Sequence, residues 1–361
     1  PCFRGHSVQR MARKSGIAGN CVSGVSCRIL LVSCSCLGGA SGETSGPGEG
    51  GRFVDAHVHF HACQEGDLDK AWKWMQENHV RRVINHTLKQ SRPKNDLERK
   101  QMLESYRKYE GRIERFCIIE PDEVGSVEEA VAILEREKAD GAIGLGEHYG
   151  AGLVFDDTRN MRLYAACAKV GLPVLFHMDK DKNLDEKGLP HVERVLKTCP
   201  DLILIAHSDW WKHLGDGTCE RLLKTYPNLY ADISCVVGRS QMRDREFARV
   251  FVLRTSDQLL FGSDAGWWSL GKGLPPEYSF VDELKLPEDV EAKLLGGNAD
   301  RLFPVKKART DPKKTPYNFV YGPDYSNYAR AGLQAWYYEV WLKDPRHTAD
   351  RDSSRAGARK G

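Results

Sequence analysis

Short hydrophobic runs alternate with longer segments of helical periodicity from residue 52 to residue 303. Each short run is rich in Val, Ile, Leu and Phe, which is typical of strands that are buried on both faces of a parallel sheet. Such alternation predicts an α/β fold. The eight predicted strands cover residues 52–60, 81–88, 115–121, 141–149, 172–179, 202–209, 229–234 and 258–265.

The segments between these strands carry the end signals of helices. Ser126, with Glu129 three residues later, is a capping box, and Gly171 is a typical helix end. Pro287 suits the start of the last helix. Eight strand–helix units over about 250 residues match a (β/α)8 TIM barrel. A doubly wound open sheet is the alternative, but no G-x-G-x-x-G loop follows the first strand.

Both ends of the chain depart from this pattern. Residues 43–51 read ETSGPGEGG, the composition of a flexible linker. We therefore expect residues 1–50 to form a leader, residues 51–304 to form the barrel, and residues 305–361 to form a C-terminal extension. In this extension a short helix is predicted around residues 331–342, and the polar residues that follow are predicted to be disordered.

The leader offers two interpretations. A weakly apolar run from Ile17 to Leu37 follows basic residues and resembles an export signal that begins at Met11. The tetrapeptide that ends at Cys34 also resembles a lipoprotein cleavage box, which would place a lipid on that cysteine. Arg28 interrupts the run, so a leader that stays in the cytoplasm is the alternative. No run reaches the roughly 18 apolar residues that a transmembrane span requires.

Charge and cysteine content exclude some classes of protein. The formal net charge is +3, with 53 Lys and Arg against 50 Asp and Glu, and the basic residues are scattered. This balance gives no reason to expect nucleic acid as a partner. The 11 cysteines contain no paired C-x-x-C motifs, so no structural zinc site is predicted.

The first predicted strand carries a His-x-His pair. His57 and His59 alternate along the strand, so both side chains point the same way and can share one divalent ion. Asp55 lies on the same face and is a candidate to orient one of the two rings.

Three more polar residues close hydrophobic runs in separate units. His177 ends the fifth strand, His207 ends the sixth, and Asp264 lies near the end of the eighth. A barrel brings the carboxyl ends of its strands into one ring, where barrel active sites are found. A single histidine at a strand end is more often structural, but the repetition at one barrel end predicts a metal site.

These motifs together resemble a known family. FVDAHVHF, LPVLFH, LIAHSD, FGSDAGW and GGNADRLF, in this order, are similar to the amidohydrolase-related branch of the amidohydrolase superfamily of metal-dependent hydrolases. The resemblance covers roughly residues 52–303. It implies a small-molecule substrate and is compatible with a homodimer.

The resemblance also implies roles for particular residues. His57, His59 and His177 are implied as metal ligands. Asp264 is implied as a ligand and proton acceptor. His207 is either a ligand of a second metal or a group that polarises the substrate. Imidazole and carboxylate ligands suit zinc and, less selectively, manganese or iron.

Glu147 closes the fourth strand in GAIGLGEHY. Binuclear relatives place a carboxylate at this position, and it bridges two metals. Glu147 is therefore the candidate bridge, and a rim carboxylate paired with a nearby Arg or Lys is the alternative. GLGEHYG also resembles the strand-four motif of TatD-type deoxyribonucleases. His148 is a competing ligand, but neighbouring strand residues point to opposite faces, so only one of the pair should enter the site.

The reaction predicted from this set is hydrolysis of a small carboxylic ester, lactone or amide. A divalent ion lowers the pKa of water toward neutrality, and Asp264 accepts the proton and returns it to the leaving group. His207, with the ion, stabilises the developing oxyanion. The alternatives are metal-dependent decarboxylation of an unsaturated or aromatic acid, a TatD-like nuclease, and a barrel that binds without catalysis.

Residues next to these strand ends are candidates for substrate binding. Trp210 and Trp211 follow His207, and Trp267 and Trp268 follow Asp264. Their rings are predicted to line the pocket, with ordinary loop packing as the alternative. Arg239 is a candidate clamp for a substrate carboxylate, with a solvated arginine as the alternative. The remaining histidines are predicted to lie on the rim, on helices or in solvent: His61, His79, His86, His191 and His213.

Overall fold

The computed structural model describes residues 51–272 and 274–305. The predicted export signal, the lipoprotein box and the C-terminal helix therefore lie outside the described residues.

All strands of the described chain join one parallel sheet, in the order β8-β7-β6-β5-β4-β3-β2-β1-β9. Each predicted strand is found within about two residues of its expected start, and the eighth is split in two. The strands are β1 (Phe53–His59), β2 (Val80–His86), β3 (Ile113–Cys117), β4 (Ala142–His148), β5 (Val174–Met178), β6 (Leu204–Ser208), β7 (Leu229–Asp232), β8 (Leu259–Leu260) and β9 (Ala265–Gly266).

Helices follow the strands along the chain. Gly171 has a φ of 71° at a helix end, as the sequence predicts. Ser126 accepts a hydrogen bond from the backbone N–H of Glu129 at 3.1 Å, but the Glu129 carboxylate accepts from the N–H of Gly125, so only half of the predicted capping box forms. The helices are α1 (Asp67–Glu77), α2 (Asp96–Lys108), α3 (Val127–Ala139), α4 (Thr158–Val170), α5 (Pro190–Thr198), α6 (Thr218–Thr225), α7 (Ser240–Arg243), α8 (Arg245–Thr255), α9 (Glu277–Glu283), α10 (Glu288–Ala292) and α11 (Asn298–Leu302).

The split eighth strand closes the barrel. β8 pairs with β7, whereas β9 pairs with β1. Between the two halves, the carbonyl of Phe261 accepts from the N–H of Ala56 at 2.8 Å, and the N–H of Asp264 donates to the carbonyl of His57 at 2.9 Å. The sheet therefore has eight strand positions, and the (β/α)8 prediction is confirmed.

The break in the eighth strand allows a close approach at its centre. A Cβ atom on Gly262 would lie 3.1 Å from the Cβ atoms of both His57 and Asp232. Real Cβ contacts are rarely this short, so a residue without a side chain lets this strand pack beside the two polar residues.

Two hydrophobic clusters hold the fold together. The larger one lies between the helices and the outer face of the sheet and includes Leu134, Leu163 and Val192. The smaller one fills one end of the barrel interior with residues such as Phe116 and Ile205. The other end of the interior is polar and holds the candidate site.

Asp55 anchors the eighth strand to the first. Its buried carboxyl group accepts hydrogen bonds from the N–H and hydroxyl of Ser263, at 3.1 and 2.5 Å, and from the hydroxyl of Tyr278 at 3.1 Å. Burial raises the pKa of Asp55 to about 7. The predicted role of Asp55 in orienting an imidazole is wrong: its contact with His57 is through the backbone N–H. Its contacts instead fix the position of Asp264 next along the chain.

Among residues 51–272 and 274–305, none of the helices combines the length and the hydropathy that a bilayer crossing needs.

Candidate metal centre

The structure brings together all six side chains that the sequence proposes as ligands. Three overlapping groups of three have potential ligand atoms within 4.8 Å of one another. They come from β1, β4, β5, β6 and the break between β8 and β9. The groups are His57, His59 and Glu147; His57, His207 and Asp264; and Glu147, His177 and His207.

The two histidines of β1 face each other through their Nε2 atoms. The Nδ1 atom of His57 lies 3.1 Å from a carboxylate oxygen of Asp232, and the Nδ1 atom of His59 lies 2.9 Å from the backbone carbonyl of His86. Both acceptors require a protonated Nδ1, so Nε2 of each ring is directed into the cluster and carries a lone pair whenever the ring is neutral. The two Nε2 atoms are 3.0 Å apart. With both rings neutral, the two lone pairs would repel at this distance, and a shared cation would remove the repulsion.

Asp232 is a functional candidate that the sequence interpretation missed. Its two carboxylate oxygens lie 3.1 Å from Nδ1 of His57 and 3.3 Å from Nδ1 of His207. The residue is fully buried, and the positive charge of the two imidazoles holds its pKa far below the usual range despite burial. One carboxylate therefore sets the tautomer of two candidate ligands. Asp232 is the last residue of β7, and a polar residue at a strand end is the same pattern that predicts the other candidate ligands.

Glu147 lies between two groups of imidazoles. Its Oε2 atom is 3.3 Å from Nε2 of His59, and its Oε1 atom is 2.5 Å from Nδ1 of His177 and 3.4 Å from Nε2 of His207. Burial favours the neutral acid, but the hydrogen bonds with His177 and His59 outweigh it and keep the pKa well below the usual range. Each oxygen of this carboxylate thus faces a different group of potential ligands. His148 points away from the site, toward Asn160.

His177 is oriented by a second carboxylate. Its Nε2 atom lies 3.1 Å from Oδ2 of Asp179, which also accepts from Lys182 at 2.7 Å. With Nε2 directed to Asp179, Nδ1 is the nitrogen of His177 that faces Glu147 and that would be available to a cation in the neutral ring. The hydroxyl of Tyr149 donates to Glu147 at 2.9 Å. Neither Asp179 nor Tyr149 was singled out from the sequence.

Asp264 lies at the open side of the cluster. Its Oδ1 atom is 3.1 Å from Nε2 of His59, and its side chain is 33% exposed, whereas Glu147 and His57 are buried. Its backbone has a φ of 55°, a left-handed conformation that asparagine and aspartate tolerate better than most residues. Asp264 therefore reaches both the imidazole cluster and the solvent.

The electrostatics of the cluster favour positive charge. Burial alone lowers the pKa of His59, but contacts with Asp264 and Glu147 outweigh it and raise the pKa to about 10. Burial likewise lowers the pKa of His207, but the charges of Asp232 and Glu147 outweigh it and raise the pKa to about 9. Imidazoles and carboxylates are ligands that zinc and manganese accept. The donor set therefore fits a divalent cation.

A pocket of about 310 Å³ opens beside Asp264. Its wall includes Trp268, which is 41% exposed and whose ring centroid lies 5.8 Å from that of His59. The remaining lining residues are Cys235, Ser263, Ala265, Ser269, Lys272, Pro275, Pro276 and Glu277.

Of the predicted substrate-binding residues, Trp268 lines this pocket, whereas Trp210, Trp267 and Arg239 are absent from its lining. Trp267 stacks on His61 at 4.1 Å between ring centroids, so its neighbour Trp268 is the tryptophan that lines the pocket. Trp210 is fully buried in the hydrophobic core against Trp211.

Arg239 does not line this pocket either. Its guanidinium group pairs with Asp209 at 2.9 Å and donates to the carbonyl of Ser208 at 3.1 Å. The arginine therefore holds the segment that follows β6, and a role as a substrate clamp is not supported by its position.

His86 also departs from its predicted place. It is buried, and its ring centroid lies 4.6 Å from that of His57. Burial and the neighbouring imidazoles of His57 and His59 hold its pKa well below the usual range. His86 therefore remains neutral and packs behind the β1 histidines. His191, by contrast, lies near the surface and pairs with Asp156 at 2.7 Å.

The family model for amidohydrolases matches residues 54–305, which includes every residue of the cluster. The chain belongs to the amidohydrolase family. The family assignment made from the strand motifs is therefore confirmed, and with it a metal-dependent type of enzyme. No curated protein matches the sequence of this amidohydrolase.

Solved structures with the same fold are distant in sequence. An uncharacterised TIM-barrel protein from Bordetella bronchiseptica has 18% identity and a TM-score of 0.51, covering 69% of this amidohydrolase and 97% of its own chain. A putative 2-pyrone-4,6-dicarboxylic acid hydrolase from Pseudomonas putida has 15% identity and a TM-score of 0.52, with coverages of 70% and 97%.

A third match is described as a dihydroxybenzoic acid decarboxylase from Polaromonas sp. JS666 with bound manganese. It has 15% identity, a TM-score of 0.48 and coverages of 70% and 97%. Other matched structures are also described as decarboxylases of aromatic acids. The two matches with TM-scores above 0.5 confirm the fold, and none of these comparisons shows which reaction this amidohydrolase catalyses.

We expect a divalent cation to stabilise the folded amidohydrolase. Saturation at about 1,000 times the dissociation constant contributes about 4 kcal/mol, which corresponds to a rise in Tm of roughly 10 °C for a domain of this size. Differential scanning fluorimetry of chelated protein with added Zn²⁺ or Mn²⁺ measures this shift.

Two histidine variants control this measurement. His59→Ala removes a proposed ligand and should abolish most of the rise in Tm. His213→Ala changes a histidine outside the cluster and should keep it. An equal rise in both variants would place the cation at another site.

Proposed function

We propose that this chain is a metal-dependent enzyme that acts on a small carboxylic acid derivative, and that it hydrolyses an ester, lactone or amide. The supporting observation is the position of Glu147 between the β1 histidines and the pair formed by His177 and His207. A carboxylate in this position suits a bridge between two cations, which is an arrangement used for hydrolysis.

The proposed ligand set divides into two positions that share Glu147. His57 and His59 would hold one cation, together with Asp264 on its open side. His177 and His207 would hold the other. The cations, when bound, supply Lewis acidity that polarises a carbonyl group and lowers the pKa of water.

Asp264 is the residue proposed to move the proton. It is the exposed member of the cluster, so it can contact both water and a substrate in the pocket. Its pKa lies below the usual range because its hydrogen bond with His59 and the nearby imidazoles outweigh burial. The carboxylate is therefore ready to accept a proton from water and to return it to the leaving group.

The pocket wall indicates the shape of the substrate. Trp268 offers an exposed ring face beside the candidate ligands, and Pro275 and Pro276 add apolar surface. A flat ring fits such a wall, because offset stacking on an aromatic ring is favourable. Lys272 also lines the pocket and could pair with an anionic group.

Decarboxylation of an aromatic or unsaturated acid is the second candidate. The observation that favours it is the group of His57, His207 and Asp264, whose ligand atoms lie together without Glu147. This group could hold one cation that binds a substrate carboxylate. The Trp268 wall suits the ring of an aromatic acid equally well.

Metal analysis combined with a substrate panel tests the two candidates. The purified enzyme is loaded with Zn²⁺ or Mn²⁺, and its metal content is measured by mass spectrometry. Lactones, esters and amides are assayed for formation of the carboxylic acid product (acid release), and aromatic acids are assayed for CO₂ release. About two ions per chain with acid release supports hydrolysis. One ion per chain with CO₂ release and no acid release would replace it with decarboxylation.

A further inference from the structure

Tyr149 lies two residues after the candidate bridge Glu147 and contacts it through its hydroxyl. The hydroxyl donates to Oε2 of Glu147 at 2.9 Å. In the described part of the chain, the other hydrogen-bond and ion-pair partners of Glu147 are candidate ligands: His57, His59, His177 and His207. Among the described residues, Tyr149 is therefore the partner of this carboxylate that is not itself proposed to bind a cation.

The Tyr149 hydrogen bond is compatible with a bound cation, whereas the imidazole contacts of Glu147 are not. An imidazole nitrogen that binds a cation gives its lone pair to that cation and no longer hydrogen-bonds the carboxylate. A carboxylate oxygen offers two lone pairs, so it can bind a cation and still accept from a hydroxyl. Tyr149 can therefore hold Glu147 in the loaded enzyme as well.

A glutamate that bridges two cations needs such a partner. The torsion that turns its carboxylate is broad, so both oxygens could turn toward one cation. The observed orientation keeps them apart: Oε2 of Glu147 lies 3.3 Å from Nε2 of His59, and Oε1 lies 3.4 Å from Nε2 of His207. A donor on Oε2 stabilises this orientation against rotation.

The ring of Tyr149 is held by β5 and the segment that follows it. Its centroid lies 5.1 Å from that of the His177 ring and 5.0 Å from Nζ of Lys182. Lys182 pairs with Asp179 at 2.7 Å, and Asp179 contacts His177 in turn. Because His177 also faces Glu147, these contacts form a closed circuit that fixes the hydroxyl relative to the carboxylate.

We propose that Tyr149 is a positioning residue that keeps Glu147 in the bridging orientation and thereby determines how tightly the second of two cations binds. This inference rests on the proposed function in taking Glu147 as a bridge. Without the hydroxyl, the carboxylate is free to turn both oxygens toward one cation. The other cation then loses a ligand.

Stepwise binding of Mn²⁺ to the full-length chain, first stripped of metal by a chelator, tests this role. Isothermal titration calorimetry gives the two Kd values. Tyr149→Phe removes the hydroxyl and keeps the ring. It should weaken the second Kd by about 10- to 100-fold and change the first by less than about threefold, as expected for a residue that orients one ligand. The electron paramagnetic resonance spectrum of a coupled Mn²⁺ pair should give way to that of isolated Mn²⁺.

Two further variants complete the test. Tyr226→Phe removes a hydroxyl that donates to Glu193 at 2.7 Å, outside the cluster, and should leave both Kd values and the spectrum unchanged. Tyr149→Met also removes the hydroxyl, with an unbranched apolar side chain, and replaces the phenylalanine variant if that protein does not fold.

The possible results separate this inference from the proposed function. A ratio of the second Kd to the first that changes less than about threefold in Tyr149→Phe overturns the inference, because a merely structural residue would weaken both alike. One Mn²⁺ per wild-type chain also overturns it, even if that enzyme releases acid and the proposed reaction stands. A second Kd that depends on Tyr149, in an enzyme without acid release, would sustain the inference while the proposed reaction fails.

Discussion

Replacement of Asp264 by asparagine is expected to reduce kcat by about 10³-fold, within the range that general acid–base groups contribute. Asparagine keeps the size of the side chain but cannot accept a proton from water. It also tolerates the left-handed backbone at φ 55°, so the fold should persist. Steady-state kinetics on the substrate found in the panel measure the loss, and circular dichroism monitors the fold.

Asp201→Asn is the matched control for this change. Asp201 is exposed in the turn before β6 and lies outside the cluster and the pocket. Its replacement should leave kcat within about twofold of the wild type, as expected for a surface position. If Asp264→Asn retained more than a tenth of the wild-type kcat with metal bound, Asp264 would lose its assigned role in proton transfer.

Replacement of Asp232 by asparagine is expected to weaken metal binding by about 10- to 100-fold, the usual cost of removing a partner that orients a ligand. Aspartate accepts from both His57 and His207, whereas asparagine has one carbonyl oxygen and one NH₂ group. One imidazole must then face a donor with its Nδ1, which favours the tautomer that protonates Nε2. That ring ceases to be a ligand.

Competition with a chromophoric chelator measures this loss of affinity. Excess Zn²⁺ or Mn²⁺ should restore much of the activity of Asp232→Asn, because the residue acts through the ligands and does not touch the substrate. Asp201→Asn again serves as the control. A chelator titration that coincides with the wild type would show that Asp232 has no part in metal binding.

The sequence predicts the barrel because the determinants of its elements are local. Runs of β-branched and aliphatic residues specify strands, and signals such as Ser126 and Gly171 specify helix ends. The split of the eighth strand was not predictable in this way. At the split, Asp55 accepts hydrogen bonds from Ser263 and Tyr278, which come from distant parts of the chain, and no local pattern encodes such contacts.

The candidate ligands were also accessible from the sequence, because each closes a strand at the same barrel end. Asp232 follows the same rule and was overlooked. The positions of Trp210, Trp267 and Arg239 were not predictable for a different reason. These residues lie near strand ends in the sequence, but side chains in irregular segments take directions that the chain position does not fix. Trp210 turns into the core, and Arg239 turns toward Asp209.

The candidate ligands and much of the pocket wall lie in different parts of the chain. The candidate ligands are held by the barrel ladder and by the buried carboxylates Asp55 and Asp232. Trp268, Lys272 and Glu277 lie beyond the last sheet residue, Gly266. Mutation in this stretch can reshape the pocket without loosening the metal centre. Substitutions that change the shape of the proposed substrate pocket can therefore fall in this segment, while the candidate ligands on the barrel stay in place.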